Sequence, residues 1–250
     1  MTNVRDQILV IIKLLFFFVL LVISIAALYL RLFFTSPQSR QLVKFKARKN
    51  FCRRTNSLFG IRVILDGPLP PPDTYLYISN HRSFYDPIVF LSQFIANPVS
   101  KAEVSRYPII GWGARLTEVL MLDRHNRKER GLMKIKIFEN LRDGTSILLY
   151  PEGTTTDREW TGTFKRGAFE SAVRAGRKVV PIAMEYPDES FYWIDQPLFA
   201  QFVYQVSGRN DNRVFIAVGE PIWNSDVDTL LNAVQHSIHQ KIEILRSRRS

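Results

Sequence analysis

Hydropathy divides the chain into two unequal parts. Residues 8–34 are almost unbroken apolar sequence, and residues 14–30 carry no charge at all. About 20 apolar residues cross the hydrocarbon core of a bilayer, so the full stretch suffices if Lys13 and Arg31 reach towards the headgroups. The uncharged part alone is slightly short, which keeps a tilted, monotopic or re-entrant insertion open beside a true span. A cleaved leader ending near Ser24-Ile25-Ala26 fits less well, because the apolar run continues through Leu32-Phe33-Phe34. Residues 38–58 then mix Leu42, Val43, Phe45, Phe51 and Leu58 with basic side chains and contain no Gly or Pro. That pattern predicts an amphipathic helix lying on a membrane surface or packed on the domain.

Past the stiff connection at 68–72, short apolar runs alternate with helical patterns. Strands are predicted at 61–65, 75–79, 119–122, 147–150, 179–183 and 214–218. Helices are predicted from Pro87 and at 109–116, 127–141, 164–175 and 227–245. Asn126 with Glu129 resembles a capping box, and Gly144 stands where that helix should stop. The alternation predicts an α/β fold, a sheet covered by helices. The expected organisation is an apolar membrane-anchoring helix at 1–36, a basic amphipathic membrane-surface segment at 37–60 and a globular domain at 61–250.

The formal net charge of +11 is placed unevenly. Residues 1–60 hold ten Lys and Arg against Asp6 alone, whereas the remainder holds 24 basic and 22 acidic residues. Basicity beside an apolar segment is the pattern of attraction to anionic lipid headgroups, and no nucleic-acid-binding motif accompanies it. If the apolar helix spans, the excess of Lys and Arg after it keeps the large C-terminal part on the cytoplasmic side. The single Cys52 excludes an internal disulfide.

The chemistry concentrates at Asn80-His81-Arg82-Ser83-Phe84-Tyr85-Asp86-Pro87. Five positions on a continuous helix would turn Asp86 away from His81, so contact between them requires a bend, which the junction of strand and helix supplies. A carboxylate on one ring nitrogen fixes the tautomer and leaves the other as a general base for a hydroxyl supplied by a substrate. The plainer alternative makes Asp86 an N-cap, with Pro87 at N1. Two further strand ends carry candidate groups. Arg124 follows one and suits a phosphate, or a surface ion pair with Asp123 or Glu129. Glu152, Gly153, Thr154, Thr155 and Thr156 follow another, as a ligand loop or an ordinary turn. The other histidines, His125, His236 and His239, show no metal-ligand spacing, so no metal site is expected.

Asn80-His81-x4-Asp86, then Leu120-Met121-Leu122-Asp123-Arg124, then Tyr150-Pro151-Glu152-Gly153-Thr154, then Val180-Pro181-Ile182 resemble, in order and spacing, the four blocks of the glycerolipid acyltransferase family. The resemblance covers roughly 75–185. It implies a mixed sheet flanked by helices, and a membrane enzyme that acylates a lysophospholipid, typically 1-acylglycerol-3-phosphate, from acyl-CoA or acyl carrier protein without a cofactor. It implies His81 as the base and Asp86 as its orienting partner. Arg124, Glu152, Gly153 and Thr154 would serve the acceptor, and Pro181 would lie near the acyl-donor side. Asn80, Arg158 and Lys165 would support them. Thr155 stands where phosphatidate-making members usually have arginine, and Glu118 where the second block usually opens with glycine. A variant third block of this kind resembles members that acylate lyso-ornithine lipid or lysophosphatidylcholine. Two competing expectations are a membrane-anchored thioesterase, with water as acceptor, and a non-catalytic lipid-binding scaffold.

Overall fold

The computed structural model of the chain describes residues 4–194 and 211–248. Among the described residues seven strands form one sheet: β1 (Arg62–Asp66), β2 (Leu76–Ser79), β3 (Asn97–Lys101), β4 (Leu120–Leu122), β5 (Ile147–Leu149), β6 (Val179–Glu185) and β7 (Arg213–Val218). Their order is β1-β7-β6-β2-β5-β3-β4. Every pairing is parallel except that of β6 with β7, so the sheet is mixed, as expected. The central strands β2 and β6 are buried along their whole length, which is why they read as continuous apolar runs without alternation.

Helices cover both faces. On one, α5 (Arg127–Arg142), α6 (Gly167–Arg174) and α7 (Val227–Ser247) pack on Leu76, Ile78, Ile147, Val179, Ala183 and Phe215. On the other, α2 (Arg40–Phe59) and α3 (Asp86–Gln93) cover Tyr77, Leu148, Val180, Ile182 and Met184. The 3-10 turn Ala102–Arg106 and α4 (Ile110–Leu116) bridge β3 to β4. The strand β3 is not predicted from the pattern, because Pro98 sits inside it. It survives by pairing briefly with β5 and then with β4, so that proline spends little of the ladder. The start of α6 slips from 164 to Gly167, since Phe164 is already buried as a loop residue and the Lys165 N–H donates to the Pro151 carbonyl. Asn126 caps α5 through its side chain. Glu129 departs from the reciprocal box and accepts from Asp123 N–H at 3.1 Å.

The helix α1 (Val4–Phe33) is continuous over 30 residues, about 45 Å, and is long and apolar enough to cross a membrane. It lies along the domain. Val10, Leu21, Ile25 and Leu28 are buried on one stripe, whereas Leu15, Phe16, Val22, Ile23 and Leu30 are exposed on another. Phe17 stacks on Phe59 and meets Phe51, both from α2, with centroids 5.7 Å apart in each case. The basic segment was expected as an amphipathic helix on a membrane surface, with packing on the domain as the alternative, and one face of α2 packs on the domain. Phe45, Arg48, Cys52, Thr55, Asn56 and Phe59 are buried, and the Arg48 guanidinium among them is satisfied by the carbonyls of Ala96 and Thr117.

Gly219 follows β7 with no room for a side chain. A Cβ there would come within 2.5 Å of Pro181 Cγ and 3.0 Å of the Pro181 carbonyl oxygen. Gly219→Ala is expected to destabilise the protein by about 1–3 kcal/mol, seen as a lower midpoint of thermal unfolding with unchanged far-UV circular dichroism.

Candidate active site

The end of β2, the turn into α3 and the end of β5 converge on His81. Asn80 locks this corner to β6: its amide donates to the Met184 carbonyl at 2.9 Å and accepts from Met184 N–H at 2.8 Å. The chain then bends through 80–85, and His81 Nδ1–H donates to Asp86 Oδ2 at 2.8 Å. The expected N-cap role of Asp86 gives way to a different one. Tyr85 is the N-cap and Asp86 the first helical residue. Its carboxylate turns back to accept Arg82 N–H at 2.7 Å and Ser83 N–H at 2.9 Å on the same oxygen. The other oxygen accepts the Tyr186 hydroxyl at 2.6 Å. Asp86 is fully buried, so these donors replace water for an ionised carboxylate.

With Nδ1 committed, Nε2 is the ring nitrogen left for chemistry. The imidazole stacks on Tyr150, centroids 4.2 Å apart at 20°. Its backbone is held at both ends, the N–H by Glu152 Oε1 at 3.2 Å and the carbonyl by Thr156 N–H at 2.9 Å. The second carboxylate oxygen of Glu152 accepts Gly162 N–H at 2.7 Å. Burial raises the Glu152 pKa above the usual carboxylate value, against the opposing pull of those two N–H groups and of Arg82 and His81. Gly153 takes φ +79°, and a Cβ there would reach 2.5 Å from the Lys165 amine, so glycine serves both the backbone and that lysine.

His81 lines a cavity of about 1100 Å³. Leu14, Phe17, Leu21 and Ile25 of α1 form one wall, and Phe51, Ile88, Leu91 and Ile110 continue it. Lys101, Arg124, Arg130, Lys134, Lys165 and Thr155 also line it, and Glu103 is the only carboxylate doing so among the described residues. Burial lowers the Arg124 pKa, opposed by Glu103. Cys52 lines the cavity as well, but burial pushes its thiol up to about 12, which removes it as a thiolate nucleophile near neutral pH.

A family model described as Acyltransferase matches residues 60–185, half of the chain. The chain belongs to the acyltransferase family. It is 30% identical over 182 residues to a chloroplastic 1-acyl-sn-glycerol-3-phosphate acyltransferase of Arabidopsis thaliana, covering 70% of this chain and 47% of that protein. It is 32% identical over 184 residues to the lyso-ornithine lipid O-acyltransferase of Pseudomonas aeruginosa, covering 68% of this chain and 66% of that one. The chain spans about half the length of several plant and algal relatives it matches. The crystal structure of the 1-acyl-sn-glycerophosphate acyltransferase PlsC from Thermotoga maritima superposes with a TM-score of 0.77 at 20% identity. That match covers 99% of this chain and 98% of the other, and the acyltransferase fold is shared throughout.

Within this acyltransferase domain the residues singled out from sequence separate into groups. His81, Arg124, Gly153 and Lys165 line the cavity, with Asp86 and Glu152 behind His81. Each oxygen of Glu152 accepts one backbone N–H, from His81 and from Gly162, which makes it a holder of the His81 backbone. Thr154 is exposed and outside the cavity lining, where Thr155 takes its place. Arg158 is exposed and offers its carbonyl to Arg82, and Pro181 sits in β6 beside Gly219. Asn80 shapes the corner and does not face the cavity. Sequence reasoning missed Tyr186, one hundred residues from the carboxylate it binds, as well as Lys101, the Tyr150 stack and the contribution of α1. Only a knowledge of which strands are neighbours could have found the first of these.

Tyr186→Phe leaves Asp86 Oδ1 without its hydroxyl donor in a fully buried place. The expected cost is about 1–3 kcal/mol of stability, measured by thermal or denaturant unfolding of the detergent-solubilised protein.

Proposed function

We propose that the chain is a membrane-associated O-acyltransferase that moves a fatty acyl group from acyl-CoA or acyl carrier protein to the hydroxyl of a lysophospholipid, with 1-acylglycerol-3-phosphate as acceptor. The observation that carries the reading is His81, with Nδ1 bound to Asp86, placed on the wall of a large apolar cavity that is also lined by basic side chains. The apolar part suits acyl chains, and Arg124, Lys101 and Lys165 suit a phosphate.

In this mechanism His81 Nε2 takes the acceptor hydroxyl proton as the oxygen attacks the thioester carbonyl. The negative charge of Asp86 stabilises the imidazolium. Collapse of the tetrahedral adduct breaks the carbon–sulfur bond, and the imidazolium returns its proton to the departing thiolate. The acyl group passes directly from sulfur to the acceptor oxygen, so no enzyme nucleophile is needed. The outer, apolar stripe of α1 would sit in lipid, with Arg31 and Arg40 at anionic headgroups and the domain on the cytoplasmic side.

A second acceptor class is favoured by Thr155, which lacks the usual guanidinium, and by the relative named for lyso-ornithine lipid. The number of cations in the cavity argues for the phosphate.

Thiol release from a long-chain acyl-CoA, run with a panel of lysolipids and with products identified by mass, tests the reading. Phosphatidic acid from lysophosphatidic acid is the expected product. Rapid release without acceptor would assign a thioesterase, and no turnover with either donor would defeat enzymatic acyl transfer. His81→Ala is expected to lower kcat by roughly two to four orders of magnitude. Lys165→Met is expected to raise KM for lysophosphatidic acid about tenfold or more while changing that for lysophosphatidylcholine much less, because the amine is a charge-assisted partner of the more exposed monoester.

A further inference from the structure

The segment 156–163 runs behind His81 and is gripped from two sides. On one, the fully buried Arg82 guanidinium donates to the carbonyls of Thr156 at 3.1 Å, Glu159 at 3.2 Å and Arg158. On the other, α7 reaches across. Gln235 Nε2 donates to Thr161 Oγ1 and to the Gly162 carbonyl, each at 3.0 Å, and His239 Nε2 lies 2.7 Å from Thr161 Oγ1. The Thr161 side chain and the Gly162 carbonyl held in this way flank the Gly162 N–H, which donates to Glu152, whose other oxygen holds His81 N–H. A path of hydrogen bonds joined through Thr161, Gly162 and the Glu152 carboxylate therefore runs from the C-terminal helix to the backbone of His81.

The two residues are not part of the seam that docks α7 on the sheet. That seam is Leu230, Val234, Ile238, Ile242 and Leu245, all buried. Gln235 and His239 stand one turn apart on a neighbouring stripe that meets segment 156–163. They lie outside the buried seam, so they can be changed while the residues that dock the helix stay in place. The hydrogen-bond inventory also closes. Thr161 Oγ1 accepts from Gln235, and its own proton is available to His239 Nε2 whenever that nitrogen carries none. The neighbours agree: burial and His236 on the same helix lower the His239 pKa. On the loop side Trp160 packs on the imidazole at 5.3 Å, with the Arg246 guanidinium over its ring at 5.9 Å.

We infer that Gln235 and His239 are positioning residues of the active site, acting on His81 through Thr161, Gly162 and Glu152. The inference rests on the acyl-transfer reading for its kinetic arm only. Its test uses the full chain in detergent, with Gln235→Ala/His239→Ala as the double variant and the exposed His236→Ala as the control. Amide hydrogen exchange is followed in 160–163 and in 79–83. The expected result is faster exchange in both segments, with β6 unchanged, and no effect of the control. In the transfer assay kcat per folded enzyme falls roughly tenfold to a hundredfold, with KM for the thioester within about twofold. In a Glu152→Gln background, where the path is already broken, the same double substitution adds less than about threefold. Exchange that rises at 160–163 alone, or losses that multiply fully in the Glu152→Gln background, would overturn the inference. Should the double variant fail to fold, Gln235→Met, which keeps the volume and removes both donors, gives the same exchange readings. A wild-type protein that transfers no acyl group would sink the transferase reading, and the exchange at 79–83 would still decide the brace.

Discussion

The buried carboxylate of Asp86 is the constraint around which the corner at His81 is built. A carboxylate without water costs several kcal/mol unless hydrogen bonds replace it, and here four donors meet it, three on Oδ2 and one on Oδ1. Two are backbone N–H groups of the bend, one is the imidazole, and one is the hydroxyl that ends β6. The carboxylate cannot be satisfied unless β2, the bend, α3 and β6 are all in register. Ordering the imidazole is thus a by-product of folding, and its cost is met before any substrate arrives.

Around that point the protein surrounds the backbone of His81 as carefully as its ring. The side chain is held by Asp86 and Tyr150, the N–H by Glu152 and the carbonyl by Thr156. A histidine at the end of a strand would otherwise share the looseness of the loop that follows. Here the loop is itself pinned by the buried Arg82, which also packs over Tyr192 at 4.9 Å and lies 3.8 Å from Glu185. The third block of the sequence, which looks like a ligand loop, contributes Tyr150 and Glu152 to this internal architecture while Gly153 faces the cavity.

How much of this could be read from the chain depends on distance along it. The His81–Asp86 pair was legible because five residues and a strand-to-helix junction specify a local bend. The sheet was legible because buried parallel strands write themselves as apolar runs. Tyr186 was not, since nothing near it mentions Asp86, and the contact exists only because β2 and β6 are neighbours. The strand containing Pro98 was hidden by a residue that normally ends a ladder. The basic segment was ambiguous for a different reason. Hydropathy records that Phe45, Cys52 and Phe59 are apolar without saying whether lipid or protein receives them, and the carbonyls that welcome Arg48 lie 48 and 69 residues away.

The helix α1 carries two stripes of similar composition and different duty. Leu21 and Ile25 press on the cavity and on Gly113, whose Cα leaves room for them, while Val22 and Ile23 face outward. The outer stripe touches no part of the cavity, and its shape does not enter the cavity's outline. For the inner stripe each methyl group helps to draw the outline of the space beside the base. A hydropathy profile sees one uniform apolar helix, but the structure gives it two interleaved faces, and only the inner one sets the outline of the cavity.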